Sequence, residues 1–438
     1  MMSKNPKVVI VGRTNVGKST LFNRLSTRVK AIAFDQPGVT RDFITDTVSW
    51  SNVLFSLIDT AGLTLRKTDD PFAKELQKRG IALMQDADLI LFMCDGKTGL
   101  LPEDREIANH LHKLGKKVIV VINKMDSNES AEYLHEFERF GFKKIVPVSA
   151  QHGTGIADLL EEIVAVLPST TATAEEERVP KVAIIGKPNV GKSSLLNLLL
   201  QKERVLVADY PGTTREPISE KISFYKEDIQ FTDTPGIRRK RMVDEPLETL
   251  MVKRAFSAID DADIVLLMVD GSEHAIADQE LKLAFYAFEN QKALAILFNK
   301  DDLVEEVGKD DLEYSLDIYK FFMKKVPKLT ISCKTGKNIG KILPLVSTLW
   351  NRYIQQFSNE ELTMFFKEAL VHKPLYVNGH LLIVRAVKQV KHGPITLLLI
   401  VNEPKWFGKT QLGFFDNILR TKFDLVGVPI SFFVRKTG

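Results

Sequence analysis

Through residue 355 of this 438-residue chain, short apolar runs alternate with stretches patterned at helical spacing. Val8–Val11, Val53–Ile58, Leu89–Met93, Val118–Ile122 and Ile145–Val148 are short and rich in branched side chains, which predicts buried strands. Helical patterns lie between them, near 18–25, 72–85, 103–114, 129–140 and 155–166. A second series follows with Val182–Ile185, Ile229–Thr232, Ile264–Val269, Ala293–Phe298 and Leu329–Ile331. Strands that alternate with helices predict an α/β fold, here two mostly parallel, doubly wound sheets covered on both faces. Ligands of such sheets sit beyond the carboxyl ends of the strands.

The pattern changes near Gln356. A helix at Glu360–Val371, strands at Leu381–Val387 and Ile395–Val401, a helix at Lys409–Thr421 and a strand at Pro429–Val434 predict a small α+β domain with one helical layer on a sheet. Phe365, Phe366, Phe414, Phe415, Phe432 and Phe433 sit at helix and strand spacing, as core residues do, rather than as base-stacking platforms. Pro168 to Pro180 has no apolar period and reads as a linker, short enough to keep its neighbours close and soft enough to let them reorient. The expected division is 1–168, a linker 169–179, then 180–355 and 356–438.

Both α/β halves carry G-x-x-x-x-G-K-S after their first strand, as GRTNVGKS from Gly12 to Ser19 and GKPNVGKS from Gly186 to Ser193. A strand delivers this loop and a helix beginning at the lysine points its first amides at phosphate. Gly12, Gly17, Gly186 and Gly191 let the backbone wrap the ligand, with Val16 and Val190 between them. Lys18 and Lys192 reach the outer phosphates, and Ser19 and Ser193, followed by Thr20 and Ser194, close the cradle. The repeat extends beyond the loops, because Thr40 and Thr214, Asp59 and Asp233, and Gly62 and Gly236 are all 174 residues apart. A period this long means a duplicated domain rather than a solenoid.

Each matched pair has a chemical role to fill. Asp59 and Asp233 end apolar strands in D-x-x-G, where a carboxylate supports Mg²⁺ and the amide of Gly62 or Gly236 approaches a γ-phosphate. Ser19, Ser193, Thr40 and Thr214 are the other expected Mg²⁺ ligands, and Lys18, Lys192, Thr40, Thr214, Gly62 and Gly236 the expected hydrolytic machinery. Asn123-Lys124-Met125-Asp126 and Asn299-Lys300-Asp301-Asp302 select the base, since Asp126 or Asp302 accepts two hydrogen bonds from guanine that adenine cannot donate. Ser149 and Ala150, and Ser332, Cys333 and Lys334, follow the next strand, where amides reach the guanine oxygen. The ligand expected in both sites is GTP or GDP.

Together these motifs resemble the translation-factor-like GTPases, and the tandem arrangement with its appendage resembles one family, the double-Era-like GTPases known as Der or EngA. The likeness covers nearly the whole chain. It implies two P-loop GTPase domains, a KH-like C-terminal domain and a role in assembling the bacterial large ribosomal subunit, with rRNA and that subunit or its precursor as partners. Asn15 and Asn189 match a loop asparagine that helps related GTPases hold K⁺, although a plain turn residue also accounts for them. Thr14 stands where the second loop has Pro188. Leu63 and Ile237 replace the glutamine that orients water in signalling GTPases, so slow intrinsic turnover is expected. No G-x-x-G loop occurs in the third domain, and Gly408-Lys409-Thr410-Gln411 lacks its second glycine, which argues against sequence-specific RNA reading there.

Charge adds less. The net charge is +4, and residues 356–438, with eleven Lys/Arg against six Asp/Glu, carry the excess. That fits an anionic partner or an ordinary solvated surface. Arg238-Arg239-Lys240-Arg241, directly after the second switch glycine, poses the same choice between RNA contact and solvent. Two cysteines, Cys94 and Cys333, predict neither a disulfide framework nor a zinc site. The opening MMSKNPKVVIVG has no signal-peptide layout and no run approaches a membrane span, so a cytoplasmic monomer is expected. Two alternatives remain in view. One is a metabolic or transport NTPase. The other is a tRNA-modification GTPase, expected to carry a cofactor-binding domain and a terminal reactive cysteine where this chain has Lys436-Thr437-Gly438.

Overall fold

The computed structural model describes residues 5–26, 44–51, 53–60, 71–125, 134–168, 179–203, 219–224, 227–233, 247–304 and 306–437, with backbone alone at 71–77, 201–203, 219–224, 227–233, 247–253 and 306–309. The first sheet contains β1 (Lys7–Val11), β2 (Ile44–Trp50), β3 (Val53–Asp59), β4 (Leu89–Asp95), β5 (Val118–Asn123) and β6 (Lys144–Pro147). Its order is β2-β3-β1-β4-β5-β6, parallel throughout except for the β2–β3 pair. Alternation along β1 explains the layering. Val8 and Ile10 face α1 (Lys18–Leu25) and α5 (Ile156–Val166), whereas Val9 and Val11 face α2 (Pro71–Asp86), α3 (Pro102–Leu114) and α4 (Leu134–Glu138). Each fully buried aliphatic side chain contributes roughly 1.5–3 kcal/mol, and β4 is buried along its whole length.

The second sheet repeats this plan with β7 (Lys181–Gly186), β8 (Ser219–Phe224), β9 (Glu227–Asp233), β10 (Ile264–Asp270), β11 (Ala293–Asn299) and β12 (Lys328–Thr330), ordered β8-β9-β7-β10-β11-β12. Its helices are α6 (Lys192–Glu203), α7 (Leu247–Asp261), α8 (Asp278–Glu289), α9 (Glu306–Asp317), α10 (Lys320–Met323) and α11 (Ile342–Tyr353).

The structure departs from the pattern reading at the antiparallel strands β2 and β8, which apolar runs did not mark. The inward series of β2 is Asp46, Val48 and Trp50, and the buried aspartate, bonded to Ser26, breaks its apolar signature. The helix expected near 129–140 is described only as the short α4, residues 126–133 lying outside the described set.

The third unit consists of α12 (Asn359–His372), a two-stranded hairpin of β13 (Tyr376–Val377) and β14 (His380–Leu381), then β15 (Val384–Lys391), β16 (Ile395–Val401), α13 (Lys409–Lys422) and β17 (Ile430–Lys436). The strand expected at Leu381–Val387 is therefore split, and its second part runs on to Lys391 as a bulged, polar-edged strand. In the sheet β15-β16-β17 the first pair is antiparallel and the second parallel. Phe366 and Phe415 are fully buried and stack at 5.1 Å, while Phe365, Phe414 and Phe432 pack around them. Phe433 points from the opposite face of the sheet and meets Trp50 edge-on at 5.3 Å.

That unit docks on both six-stranded sheets, unequally. Its helix-facing core is continuous with the core of the second sheet. Gly427 donates to Lys325 O at 2.7 Å and accepts from Leu294 N at 2.8 Å. Arg352 Nη1 donates to Val426 O at 3.0 Å, and Lys325 Nζ meets Asp416 Oδ2 at 2.5 Å. Toward the first sheet, only Val390 and Leu398 enter the core, aided by Ser51 N to Val390 O at 2.9 Å and an Arg435–Asp158 ion pair at 2.7 Å.

Candidate functional sites

Both phosphate loops leave their first strand at its carboxyl end and turn into a helix. Gly17 adopts φ 99° and Gly191 φ 102°, and a Cβ at either would lie 2.3 or 2.4 Å from the amide nitrogen of Asn123 or Asn299. Only glycine meets both demands. No side chain caps α1, so its first amides are directed at whatever the loop encloses. Asn15 and Asn189 also take left-handed φ, 63° and 62°, a conformation asparagine tolerates better than most residues.

The loop lysines lie back along the loop. Lys18 Nζ donates to Gly12 O and Arg13 O, each at 2.8 Å, and Lys192 Nζ donates to Gly186 O at 2.9 Å and Lys187 O at 2.6 Å. Burial lowers the Lys18 pKa, with the Asp59 carboxylate opposing. Asp59 is itself fully buried at the end of β3, and burial raises its pKa against a hydrogen bond from Ser19 Oγ at 2.9 Å and the charge of Lys18. Its Oδ1 has no hydrogen-bond partner. A buried carboxylate oxygen left over beside a serine hydroxyl suits a hard divalent cation, so the residues present fit Mg²⁺. Ser193 opens α6 in the same way, and Asp233 ends β9, its side chain lying outside the described set.

On the base side, Asn123 and Asn299 are the hinges of their sites. Asn123 Nδ2 donates to Val16 O at 2.8 Å while its Oδ1 accepts from Ala150 N at 2.9 Å. Asn299 repeats this with Val190 O at 2.7 Å and Cys333 N at 3.0 Å. One side chain thus joins the phosphate loop to the loop after β6 or β12. Lys124 Nζ donates to Asn15 O at 2.9 Å and pairs with Asp95 Oδ2 at 2.6 Å, and Lys300 pairs with Asp270. Burial opposes the charge on Asp95 and Asp270, yet hydrogen bonds from Lys124 and the Lys97 amide, and from Lys300 and Ser272, hold both below the ordinary carboxylate range. Asp302 accepts from Ser332 Oγ at 2.6 Å, which lowers its pKa, and has Lys334 Nζ at 3.8 Å.

Of the residues expected from sequence, the structure gathers Gly12, Asn15, Val16, Gly17, Lys18, Ser19, Thr20, Asp59, Asn123, Lys124, Ser149 and Ala150 around one sheet end. Around the other it gathers Gly186, Asn189, Val190, Gly191, Lys192, Ser193, Ser194, Asn299, Lys300, Asp302, Ser332, Cys333 and Lys334. Thr40, Gly62, Asp126, Thr214 and Gly236 lie outside the described residues, as do Leu63, Ile237 and Arg238 to Arg241. Asp95 and Asp270 escaped the sequence reading. Their signal was present, since an Asp-Gly pair ends the wholly apolar fourth core strand of both repeats.

Comparison with known proteins settles the class. A family model described as a 50S ribosome-binding GTPase matches residues 7–124 and again 181–300, and a model for the KH-domain-like C-terminal region of EngA bacterial GTPases matches 356–435. A GTPase Der of Caldanaerobacter subterraneus is 43% identical over 98% of this chain and 98% of its own length. One from Caldicellulosiruptor saccharolyticus is 38% identical over 99% of each. The chain belongs to the GTPase Der family. It is therefore a GTP-hydrolysing enzyme that binds guanine nucleotides, built from two tandem GTPase domains and a KH-like domain. Among solved structures, Aquifex aeolicus Era bound to GDP and aluminium fluoride covers 99% of this chain and 94% of its own at 17% identity, with a TM-score of 0.34 that adds nothing to the assignment. Among the described residues no helix is long and apolar enough to cross a membrane.

Proposed function

We propose that this chain is a two-site GTP switch acting in the cytoplasm on maturation of the large ribosomal subunit, with nucleotide state setting the arrangement of its three domains and so its hold on rRNA. One observation carries the reading. The KH-like sheet packs on both GTPase domains at once, deeply on the second and lightly on the first. A nucleotide that favours one arrangement over another shifts the balance by its difference in affinity for the two. The description of the matching family model as ribosome-binding, and the excess charge of the last 83 residues, support a ribosomal RNA partner over a small-molecule one.

In each site the loop amides and Lys18 or Lys192 hold the outer phosphates, and Asp126 or Asp302 reads guanine. Ser19 with Asp59, and Ser193 with Asp233, would hold Mg²⁺, joined by Thr40 or Thr214. The ion supplies charge neutralisation to the phosphates when bound. Gly62 and Gly236 offer amides to the γ-phosphate. Leu63 and Ile237 have no group to orient water; a K⁺ ion held by Asn15 or Asn189 would supply positive charge to the developing transition state in its place. Equal turnover in K⁺ and Na⁺ buffers removes the K⁺ assignment. Co-sedimentation with ribosomal subunits in GTP, GDP and a non-hydrolysable analogue tests the whole. Association that differs between nucleotides is expected, and none in any state favours a metabolic NTPase.

A further inference from the structure

The second residue of each phosphate loop is a cation, Arg13 or Lys187, and its backbone carbonyl is one of the two that receive the loop lysine. Its side chain reaches away from the phosphates toward the helix that follows the fourth core strand. There Arg13 Nε lies 3.4 Å from Asp104 Oδ1, and Lys187 Nζ lies 3.8 Å from Glu280 Oε1. Both carboxylates are fully buried and both are the third residue of their helix, α3 or α8. Each spends its other oxygen on the amide that opens the helix, Leu101 N at 3.1 Å or Ala277 N at 2.9 Å. The facing oxygen, Oδ1 or Oε1, has no hydrogen bond of its own. Burial raises both carboxyl pKa values, with the loop cation among the opposing influences.

Three things set this apart from a chance ion pair. It recurs at the same place in both domains. Both members differ between the copies, Arg with Asp against Lys with Glu, so the charge relation persists while the side-chain lengths change. Its two ends also connect the halves of the site. Arg13 reaches Thr98 and Lys187 reaches Glu273 at 2.7 Å, in the turn whose Asp95 or Asp270 anchors the lysine of the base loop.

We propose that Asp104 and Glu280 are positioning residues for the hydrolysis of GTP, holding Lys18 and Lys192 in register through the second residue of each loop. This rests on reading the two loops as the nucleotide sites. A buried charge leaves little slack in the position of its partner, so the carbonyls under each lysine are fixed before phosphate arrives. Asp104→Asn keeps an oxygen for the Leu101 amide and replaces the charged oxygen that faces Arg13 with an amide NH2, which cannot accept from it.

The test uses the full chain with the second site silenced by Lys192→Ala. Asp104→Asn is expected to lower turnover at saturating GTP about tenfold, the value of one charge-assisted contact, with the nucleotide-free melting temperature no lower than the parent's. Transplanting the second site's pair, as Arg13→Lys with Asp104→Glu, is expected to restore most of that turnover. Parental turnover in Asp104→Asn, or a loss the transplant does not recover, overturns the proposal. Lys18→Ala in the same background is the control. If it abolishes turnover while Asp104→Asn does not, positioning alone is refuted. If it leaves turnover intact, the assignment of the loop as a nucleotide site is refuted with it. Should Asp104→Asn melt early, Glu280→Gln beside Lys18→Ala gives the same readout, and a loss of about threefold is expected there because Glu273 still holds Lys187.

Discussion

The two GTPase domains keep the same chemistry and differ in what is fastened to it. In both, an asparagine joins the phosphate loop to the guanine loop, and a buried aspartate grips the base-loop lysine. Around that shared kernel the ties diverge. In the first domain Arg24 of α1 holds the guanine loop, donating to Ala150 O at 3.0 Å and also to Gln151 O. The matching position in the second domain is Leu198, which packs into the core, and there the loop is held by Asp302 with Ser332 and by Lys337 with Asp301. The larger difference is mechanical. The second domain is continuous with the KH-like domain, and the first leans on it through Val390, Leu398 and Phe433, one backbone hydrogen bond and one ion pair. Duplication preserved the site and let the exterior diverge, so that one copy shares a core with the KH-like domain and the other touches it over a smaller surface.

The strongest way to break this comparison is to remove each loop lysine in turn. Lys18→Ala and Lys192→Ala are each expected to cost their own site about a hundredfold or more in single-turnover hydrolysis, leaving the other site's rate intact. Loss of both rates from one change denies that the sites are independent in chemistry. Next in size are the junctions. At Gly427, with φ 88°, a Cβ would sit 2.2 Å from Leu349 Cδ2 and 3.1 Å from Leu294 O, so Gly427→Ala is expected to destabilise the fused unit by about 2–4 kcal/mol. Phe433→Ala, at the lighter contact, is expected to remove about 1 kcal/mol of edge-on packing and to raise protease access to the first domain without lowering the melting of the second.

Asp59 sharpens the comparison through pH. Its folded pKa is raised by burial, so the charged form is the one the fold disfavours. As pH rises through the ordinary carboxylate range and past the raised value, the nucleotide-free protein loses stability relative to Asp59→Asn. The variant is therefore expected to melt above the parent at neutral pH and beside it in acid, while its Mg²⁺-dependent GTP binding falls. Matching melting curves at neutral pH reject a buried charge held for a cation. The smallest effect expected is at Arg24. Arg24→Leu copies the second domain, and it is expected to weaken GDP binding at the first site about two- to fivefold, with no change at the second.

Much of this was legible in the chain. The phosphate loops, Asp59 and the Asn-Lys pairs at 123–124 and 299–300 announce themselves because glycine, lysine, carboxylate and carboxamide are each needed at a fixed step from a strand end. The wholly apolar strands β4, β10 and β11 show for the same reason that they are buried on both faces. Strand β2 did not show, because its inward Asp46 is satisfied by a serine twenty residues away, a contact no local pattern carries. The hairpin β13–β14 did not show because each strand has two residues. Asp104 and Glu280 look from sequence like ordinary charged residues in a first helical turn, and only the fold brings them to the phosphate loops. Phe433 was rightly read as packed, but what it packs on belongs to another domain.

Titration calorimetry with the full chain addresses the account at its root. Guanine nucleotide is expected to bind with a stoichiometry of two per chain, halved by either Asp126→Asn or Asp302→Asn, and ATP to give no binding heat. One guanine nucleotide per chain, or ATP held as tightly as GTP, contradicts it.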